Sequence, residues 1–416
     1  MMAPFALVDD LGKAGAYAVY LLVGVAFGAT LELAGFARSP KLAAQFYLKD
    51  MTVLKVMFTG IVTAMVLIFL ASALGLLSYN DLYVNPTYLW PGVVGGLVMG
   101  VGFILGGFCP GTSLVAAASL KIDGWFFFLG TMAGILVFEE TVGFYGGFWY
   151  SSYMGRYTLP ELLGLSTGAT VLLVVVFAVV AFVLAGKAER AFGDGISDAR
   201  PVGRRLLLAG GGVVFALALL VAVLGQPSPM QKWERIASSR GVALEERQVQ
   251  IDAGELIQVA SNHALKLVLL DVRDERDFNL FHVVDSRRVD LDEIGRRPLT
   301  RELLDEPANA VVILVSNDEG RSTEAWKMLT GEGILNVYIL AGGINGWLDR
   351  FAVNGACAGC RRMEASPGND QLRWAFDAAL GANRPIADPD LFADKAMVFA
   401  PKVKLEVRQR PTGGCG

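Results

Sequence analysis

The chain has 416 residues, 54% hydrophobic and 18% charged, with a formal net charge of -4. That length holds more than one domain, and the balance is not basic enough for nucleic-acid binding. With two histidines in all, a histidine-based metal site is excluded, and no cofactor is expected.

Charge is divided unevenly. Residues 1–225 carry 12 basic and 12 acidic side chains, and residues 226–416 carry 24 and 28. The first part therefore reads as membrane and the second as water-soluble. No cleavable signal peptide is expected, because Asp9 and Asp10 precede the first apolar stretch, which leads straight into further hydrophobic segments. Six apolar segments, at about 14–35, 52–77, 91–108, 124–146, 162–186 and 204–225, each approach the roughly 20 residues of a spanning helix. The connections at 36–51, 109–123 and 187–205 hold Arg38, Lys41, Lys49, Lys121, Lys187, Arg190, Arg200, Arg204 and Arg205, whereas the alternate ones hold only Arg156. By the positive-inside rule the amino terminus faces out, and the sixth helix delivers the soluble part to the outside, which in a bacterium is the periplasm.

Cys109 stands in the run Leu-Gly-Gly-Phe-Cys-Pro-Gly-Thr-Ser, the sole cysteine of the first 356 residues. Gly107, Pro110 and Gly111 around it predict a break in the helix, since proline and glycine interrupt the backbone ladder. An inert buried thiol at a kink is the plain reading; a soft group where something passes is the functional one. The segment also repeats: shifted by 72 residues, Gly24, Gly28, Leu33, Gly35, Phe36, Lys49 and Thr59 match Gly96, Gly100, Leu105, Gly107, Phe108, Lys121 and Thr131. Duplicated, interrupted segments point to a transporter site at the repeat interface.

The stretch 96–135, with its Gly-Gly-Phe-Cys-Pro-Gly-Thr core, and the first-copy run Gly-Phe-Ala-Arg-Ser-Pro-Lys-Leu-Ala-Ala-Gln-Phe-Tyr resemble the YeeE/YedE family of sulfur transport proteins over about residues 15–225. The resemblance implies a polytopic helical membrane domain with broken helices that moves thiosulfate or a related anion past Cys109. The candidate pathway comprises Cys109, Gly107, Phe108, Pro110, Gly111, Thr112 and, from the first copy, Phe36. Ala37 stands where the first copy would carry its own thiol, so a relay of several membrane thiols is not preserved. Glu32, Glu139 and Glu140 are the acidic groups within or near the apolar spans, candidates for proton coupling or residues at a helix end.

A linker is expected over 226–244. From 245 to 353, short β-rich runs at 266–272, 310–315 and 336–340 alternate with helix-like stretches at 255–260 and 323–330, which predicts a small α/β domain with a largely parallel sheet. Leu-Asp-Val-Arg-Asp-Glu-Arg-Asp-Phe at 270–278, His282, Gly320-Arg321-Ser322 and Ala-Gly-Gly-Ile-Asn-Gly-Trp at 341–347 resemble a rhodanese domain. The family loop Cys-x-x-Gly-x-Arg-Ser here reads Ser316-Asn-Asp-Glu319-Gly320-Arg321-Ser322, with serine at the nucleophile position. A hydroxyl cannot carry sulfane sulfur, so sulfurtransfer is not expected. Arg321 and the loop amides remain candidates for an oxyanion, against a domain kept for docking or stability. His282 and His263 read as structural or surface residues.

Beyond 354, Cys357-Ala-Gly-Cys360 is a disulfide, a redox pair or half of a metal site. The chain ends Gly-Gly-Cys415-Gly416, similar to the cysteine arm of SoxY-type periplasmic sulfur carriers; an ordinary flexible tail is the alternative. Cys415, Cys357 and Cys360 form a candidate sulfur relay. The expected partners are the bilayer, a thiosulfate-like anion and a sulfur-carrier protein. A membrane-anchored sulfur carrier is the competing reading to a transporter in a bacterial inner membrane.

Overall fold

The computed structural model describes residues 3, 5, 7–193, 201–352, 357–364, 369–389 and 399–407. The chain divides between Gln226 and Pro227 into two compact units.

The first unit is helical: α1 (Leu7–Leu33), α2 (Ser39–Ala43), α3 (Thr52–Ala73), α4 (Leu89–Gly106), α5 (Pro110–Ala118), α6 (Ile122–Thr141), α7 (Gly146–Trp149), α8 (Leu159–Leu163), α9 (Thr167–Phe192) and α10 (Pro201–Leu224). Among the described residues five stretches are long and apolar enough to span a bilayer, α4 and α5 together counting as one, and there are up to six if the bent pair of helices at Ala209–Leu224 and Pro229–Glu245 is one span. This is a multi-span membrane protein. Val62 and Val66 of α3, Val171, Val175 and Ala178 of α9, and Ala218 and Val221 of α10 form one buried seam. The Lys55–Glu189 ion pair, at 2.6 Å, ties α3 to α9 at one end of it.

The expected duplication is present in the backbone itself. Gly35 and Gly107 both have positive φ, 80° and 72°, and Leu48 and Leu120 both sit at φ 58°. Each pair is 72 residues apart. The hydrogen bonds that close the short helices recur at the same offset: Lys49 N–H donates to Ala44 O, and Lys121 N–H to Ala116 O. A leucine in the left-handed region is costly and uncommon. Chance matching of glycine-rich helices gives no reason for two of them in register, so the repeat is one of structure.

The second unit starts where a linker was expected. Residues 229–245 instead form α11 (Pro229–Glu245), because Ser228 and Gln231 make a reciprocal capping box and Pro229 occupies the first helical position. Trp233 is buried, with its ring 5.2 Å from that of Trp326, so the helix belongs to the soluble unit. There follow β1 (Gln250–Ile251), α12 (Ala253–Ala260), β2 (Lys266–Asp271), α13 (Glu275–Leu280), β3 (Arg287–Arg288), α14 (Arg297–Asp305), β4 (Ala310–Val315), α15 (Gly320–Gly331), β5 (Val337–Leu340), α16 (Gly343–Phe351), β6 (Cys360–Arg362) and β7 (Trp374–Phe376). The main sheet has order β1-β5-β4-β2-β3, all parallel. β4 is buried at every position, as a strand covered on both faces must be.

The unit also runs past residue 353, where the domain was expected to end. β6 and β7 form an antiparallel hairpin, and Trp374, Ile386 and Ala387 enter the core beside Trp347. Residues 402–406 lace along the sheet edge. Lys402 and Val403 N–H groups donate to Glu255 Oε1 at 2.6 and 2.7 Å. The Tyr338 hydroxyl donates to Lys404 O and accepts from Lys404 N–H.

Burial pushes the Tyr338 phenol above its ordinary 10.0, while the Lys404 N–H that donates to its oxygen pulls the other way. Stabilisation tied to its proton is whole below about pH 10 and is lost as pH rises through the raised value. Tyr338→Phe should cost about 1–3 kcal/mol by leaving Lys404 backbone groups unpaired and should flatten the alkaline fall in stability. Chemical denaturation at neutral and alkaline pH, wild type against variant, checks both.

Candidate functional site

Cys109 is the N-cap of α5, with φ -93° and ψ 165°, and Pro110 takes the first helical position. Its sulfur accepts from Thr112 N–H at 3.4 Å while Thr112 Oγ1 accepts from Cys109 N–H at 3.0 Å, and the two side-chain atoms lie 3.2 Å apart. Cys109 and Thr112 thereby form a capping box in which a thiol stands where serine or threonine is usual. The break in the Leu89–Ala118 span is thus satisfied locally, as an apolar surround demands. Gly107 ends α4 in the left-handed region, and a Cβ there would fall 2.8 Å from Ser39 Cβ, so glycine lets the two copies meet at their breaks.

The sulfur is half-buried and is the sole free thiol among the described residues. It faces the amino end of a nine-residue helix, where backbone N–H groups favour negative charge. Phe36 and Phe108, expected in the pathway, are instead fully buried with Ala37, Leu42, Val53 and Ala116. They brace the break and do not line an open face. Thr112 is buried, Gly111 is half-buried and Pro110 is exposed.

Glu32 is neutralised across the repeat: Lys121 Nζ lies 3.2 Å from Oε1, and Ser119 Oγ donates to Oε2 at 3.2 Å. Glu139 and Glu140 are exposed in the last turn of α6. That position fits the helix-end reading.

In the soluble unit, Ser316 follows β4 at the carboxyl edge of the sheet. It is fully buried and its Oγ pairs with Ser322 Oγ at 3.0 Å. Backbone N–H groups of Ile344 and Asn345 bind the carbonyls of Ser316 and Asn317, both at 2.9 Å. Gly343, at φ 57°, is forced: a Cβ there would lie 2.2 Å from Asp318 O. Asp271 and Arg273, both buried, pair at 2.7 Å, and Arg273 also reaches Phe281 O and Asn317 Oδ1, which pins the loop to β2 and α13.

The loop's anion-binding groups are engaged by the protein's own carboxylates. Asp370 Oδ1 accepts from Asp318 N–H at 2.6 Å, and its Oδ2 accepts from Arg321 N–H at 2.8 Å. Asn317 Nδ2 donates to Asp370 O at 3.0 Å. The Arg321 side chain turns to Asp274 at 2.7 Å, and that hydrogen bond holds the guanidinium above its ordinary range. Glu319 pairs with Arg247, raising that arginine in the same way, and accepts from Gly342 N–H. Arg373 pairs with Asp318. Of the donors that one sequence reading offered to an oxyanion, the Arg321 side chain is thus taken by Asp274 and the Asp318 and Arg321 N–H groups by Asp370.

His282 stacks on Phe278 with ring centroids 3.8 Å apart and bonds its carbonyl through Nδ1; His263 is exposed. Cys357 and Cys360 form a disulfide, so neither is a free carrier thiol in this state. Cys415 lies outside the described residues. No group of three or more metal-ligating side chains occurs among the described residues. Sequence reasoning missed Asp370, Asn345 and Arg373; each acts from a distance in the chain, and only the Asn inside the 341–347 motif carried a signal.

Residues 35–245 match the family model described as sulphur transport, a stretch of half the chain. The chain belongs to that family. The Cys109 break, the second repeat copy and the first copy from Gly35 onward fall inside the matched region. Residues 253–350 match the rhodanese-like domain. Over 117 residues the chain is 30% identical to a protein named probable transporter YedE of Escherichia coli (strain K12), covering 27% of this chain and 27% of that relative. The match thus spans far less than two thirds of the relative's length. No solved structure matches.

Asp370→Ala should empty the pair of loop N–H groups. The variant should gain saturable stabilisation by thiosulfate in a thermal-shift titration that the wild type does not show, and should lose about 1–3 kcal/mol of its own stability. Ser316→Cys alone should stay without thiosulfate:cyanide sulfurtransferase activity, because Asp370 still holds the loop; measurable turnover by that single variant would contradict the occupancy argument.

Proposed function

We propose that this protein carries a small inorganic sulfur anion of the thiosulfate type across a bacterial inner membrane, along a path that passes the broken α4–α5 span at Cys109. The observation that carries the reading is the capped thiol at a duplicated break. A neutral thiol offers a weak S–H donor and a soft acceptor without adding a competing negative charge, and the amino end of α5 supplies N–H groups for the rest of the anion's charge. Family membership and the name of the YedE relative support sulfur-compound transport as the class of activity. Phe36 and Phe108 act as braces for the break. Pro110, Gly111 and Thr112 provide the backbone and hydroxyl that stand beside the sulfur.

In this reading the rhodanese-like unit does not transfer sulfur, since Ser316 has no sulfane chemistry and Asp370 caps its loop. It stands on the periplasmic side as a docking or receiving module for a sulfur-carrier protein. The basic connections of the membrane part support that side, and the Cys357–Cys360 disulfide fits an oxidising compartment.

Cys109→Ser preserves an N-cap oxygen acceptor, so folded protein should be retained while vesicle uptake of labelled thiosulfate falls by about tenfold or more, the loss expected when about 1.4 kcal/mol of soft contact disappears. Unchanged uptake at equal expression would remove Cys109 from the path. For orientation, a reporter fused after Gly225 should behave as exported and one after Gly193 as retained; the reverse pair would put the soluble unit in the cytoplasm.

A further inference from the structure

The soluble unit has lost the cysteine expected at its loop, yet a pair of sulfurs sits elsewhere in it under an unusual neighbour. Arg384 is 7% exposed. Its Nη1 lies 3.7 Å from Cys360 Sγ and 3.9 Å from Cys357 Sγ. Nη2 reaches Ala378 O and, at 3.5 Å, the Asp377 carboxylate, which is itself largely exposed. Nε has no partner, and the guanidinium lies over the Phe376 ring. The cation is buried, its one carboxylate neighbour among the described residues is a largely exposed side chain reached by Nη2 at 3.5 Å, and Nη1 is aimed at two sulfurs.

A neutral disulfide gives a buried cation very little, and burying a charge without a close counter-charge is unfavourable. A thiolate would answer it. We propose that Cys357–Cys360 is a thiol–disulfide exchange site whose opened form is stabilised by Arg384, and that its co-reactant is a small sulfur nucleophile, a thiolate or sulfite. The incoming sulfur forms a bond to one cysteine sulfur, the Cys357–Cys360 bond breaks, and its electron pair leaves on the other sulfur as a thiolate facing Arg384. The product is a mixed disulfide, or an S-sulfonate when sulfite attacks. A second thiolate, or the freed cysteine acting in reverse, releases it. Placing the cation within reach of both sulfurs assists whichever one leaves, since a leaving thiol of lower pKa departs faster.

Access is consistent with this chemistry. Both cysteines are half-buried, and Ala358 and Gly359 between them are exposed. Gly359, at φ 77°, has no room for a Cβ, which would fall 2.0 Å from Asp377 Oδ2; the turn that presents the sulfurs is therefore built against the same carboxylate. Among the described residues the charged side chains facing the pair are Arg384 and, across Gly359, Asp377. The site is independent of the transport reading, because it uses no residue of the membrane unit.

The test uses the full chain in mild detergent at neutral pH without denaturant. Reduced glutathione or sulfite is added, the thiols are alkylated, and the tryptic peptide of residues 351–361, which holds both cysteines and neither Cys109 nor Cys415, is followed by mass spectrometry. The wild type should open and acquire the glutathione or sulfonate mass. Arg384→Gln should open about tenfold more slowly, and Arg384→Lys should recover most of the rate. A peptide that stays closed until denaturant is added would make the disulfide a structural clamp and overturn the proposal, as would an Arg384→Gln variant that opens as fast as the wild type or faster. A measurement on reduced wild-type protein alone guards against a misfolded variant. Its alkylation should titrate well below the ordinary cysteine value of about 8.5; titration at that ordinary value would equally overturn the proposal.

Discussion

Backbone N–H groups that leave a helix or strand where water cannot reach them must be given another acceptor, and both units are organised around that constraint. In the membrane unit the span from Leu89 to Ala118 stops at Gly107 and restarts at Pro110. Thr112 and Cys109 answer each other's amides, and proline at the first helical position removes one donor that would otherwise need an answer. In the soluble unit the chain turns sharply after β4, and the donors that this turn presents are taken up by Asp370. The same physical demand produces a thiol-capped break in one unit and a closed loop in the other.

A loop that closes around an anion is usually built to receive one from outside. Here the anion is a side chain, delivered by a segment some 50 residues downstream and held there by Asn345, which donates to Asp318 and to Gln371 O while accepting from Arg373 N–H. Ser316 is sealed beneath it. A serine at position 316 and a carboxylate over the loop are mutually consistent: a persulfide-forming cysteine there would need the space and the donors that Asp370 holds.

Much of this arrangement was legible from the residues. The apolar lengths gave the spans, the Gly-Phe-Cys-Pro-Gly run gave the break, and the 72-residue offset gave the duplication, because membrane burial and backbone punctuation are local properties of sequence. The strands at 266–271, 310–315 and 337–340 were equally plain, being continuous apolar runs of a sheet covered on both faces. What escaped was non-local. Residues 229–245 are polar enough to pass for a linker, and only the distant Trp326 shows why Trp233 makes them a packed helix. Nothing in the turn around Asp370 marks it as the acceptor for Asp318 and Arg321, and nothing near Arg384 marks it as the neighbour of two cysteines. Phe36 and Phe108 were placed at the break from the sequence, but not their burial among Ala37, Leu42, Val53 and Ala116, since aromatic residues beside a motif look alike whether they face a void or a core.

The duplicated break has a consequence of its own. Its two copies share their left-handed glycine, their left-handed leucine and the hydrogen bonds that close their short helices, yet one carries a thiol at position 109 and the other a methyl group at Ala37. Two equal stations would let cargo queue, each ion pushing the next forward by repulsion. The path proposed above, with a single soft station, has no second berth to fill, so on it throughput would level off once that berth is occupied and two chemically similar anions would compete for it one against one. Inequality between otherwise matching halves would also give that proposed path a sense of direction in its chemistry that its backbone geometry, taken alone, does not possess.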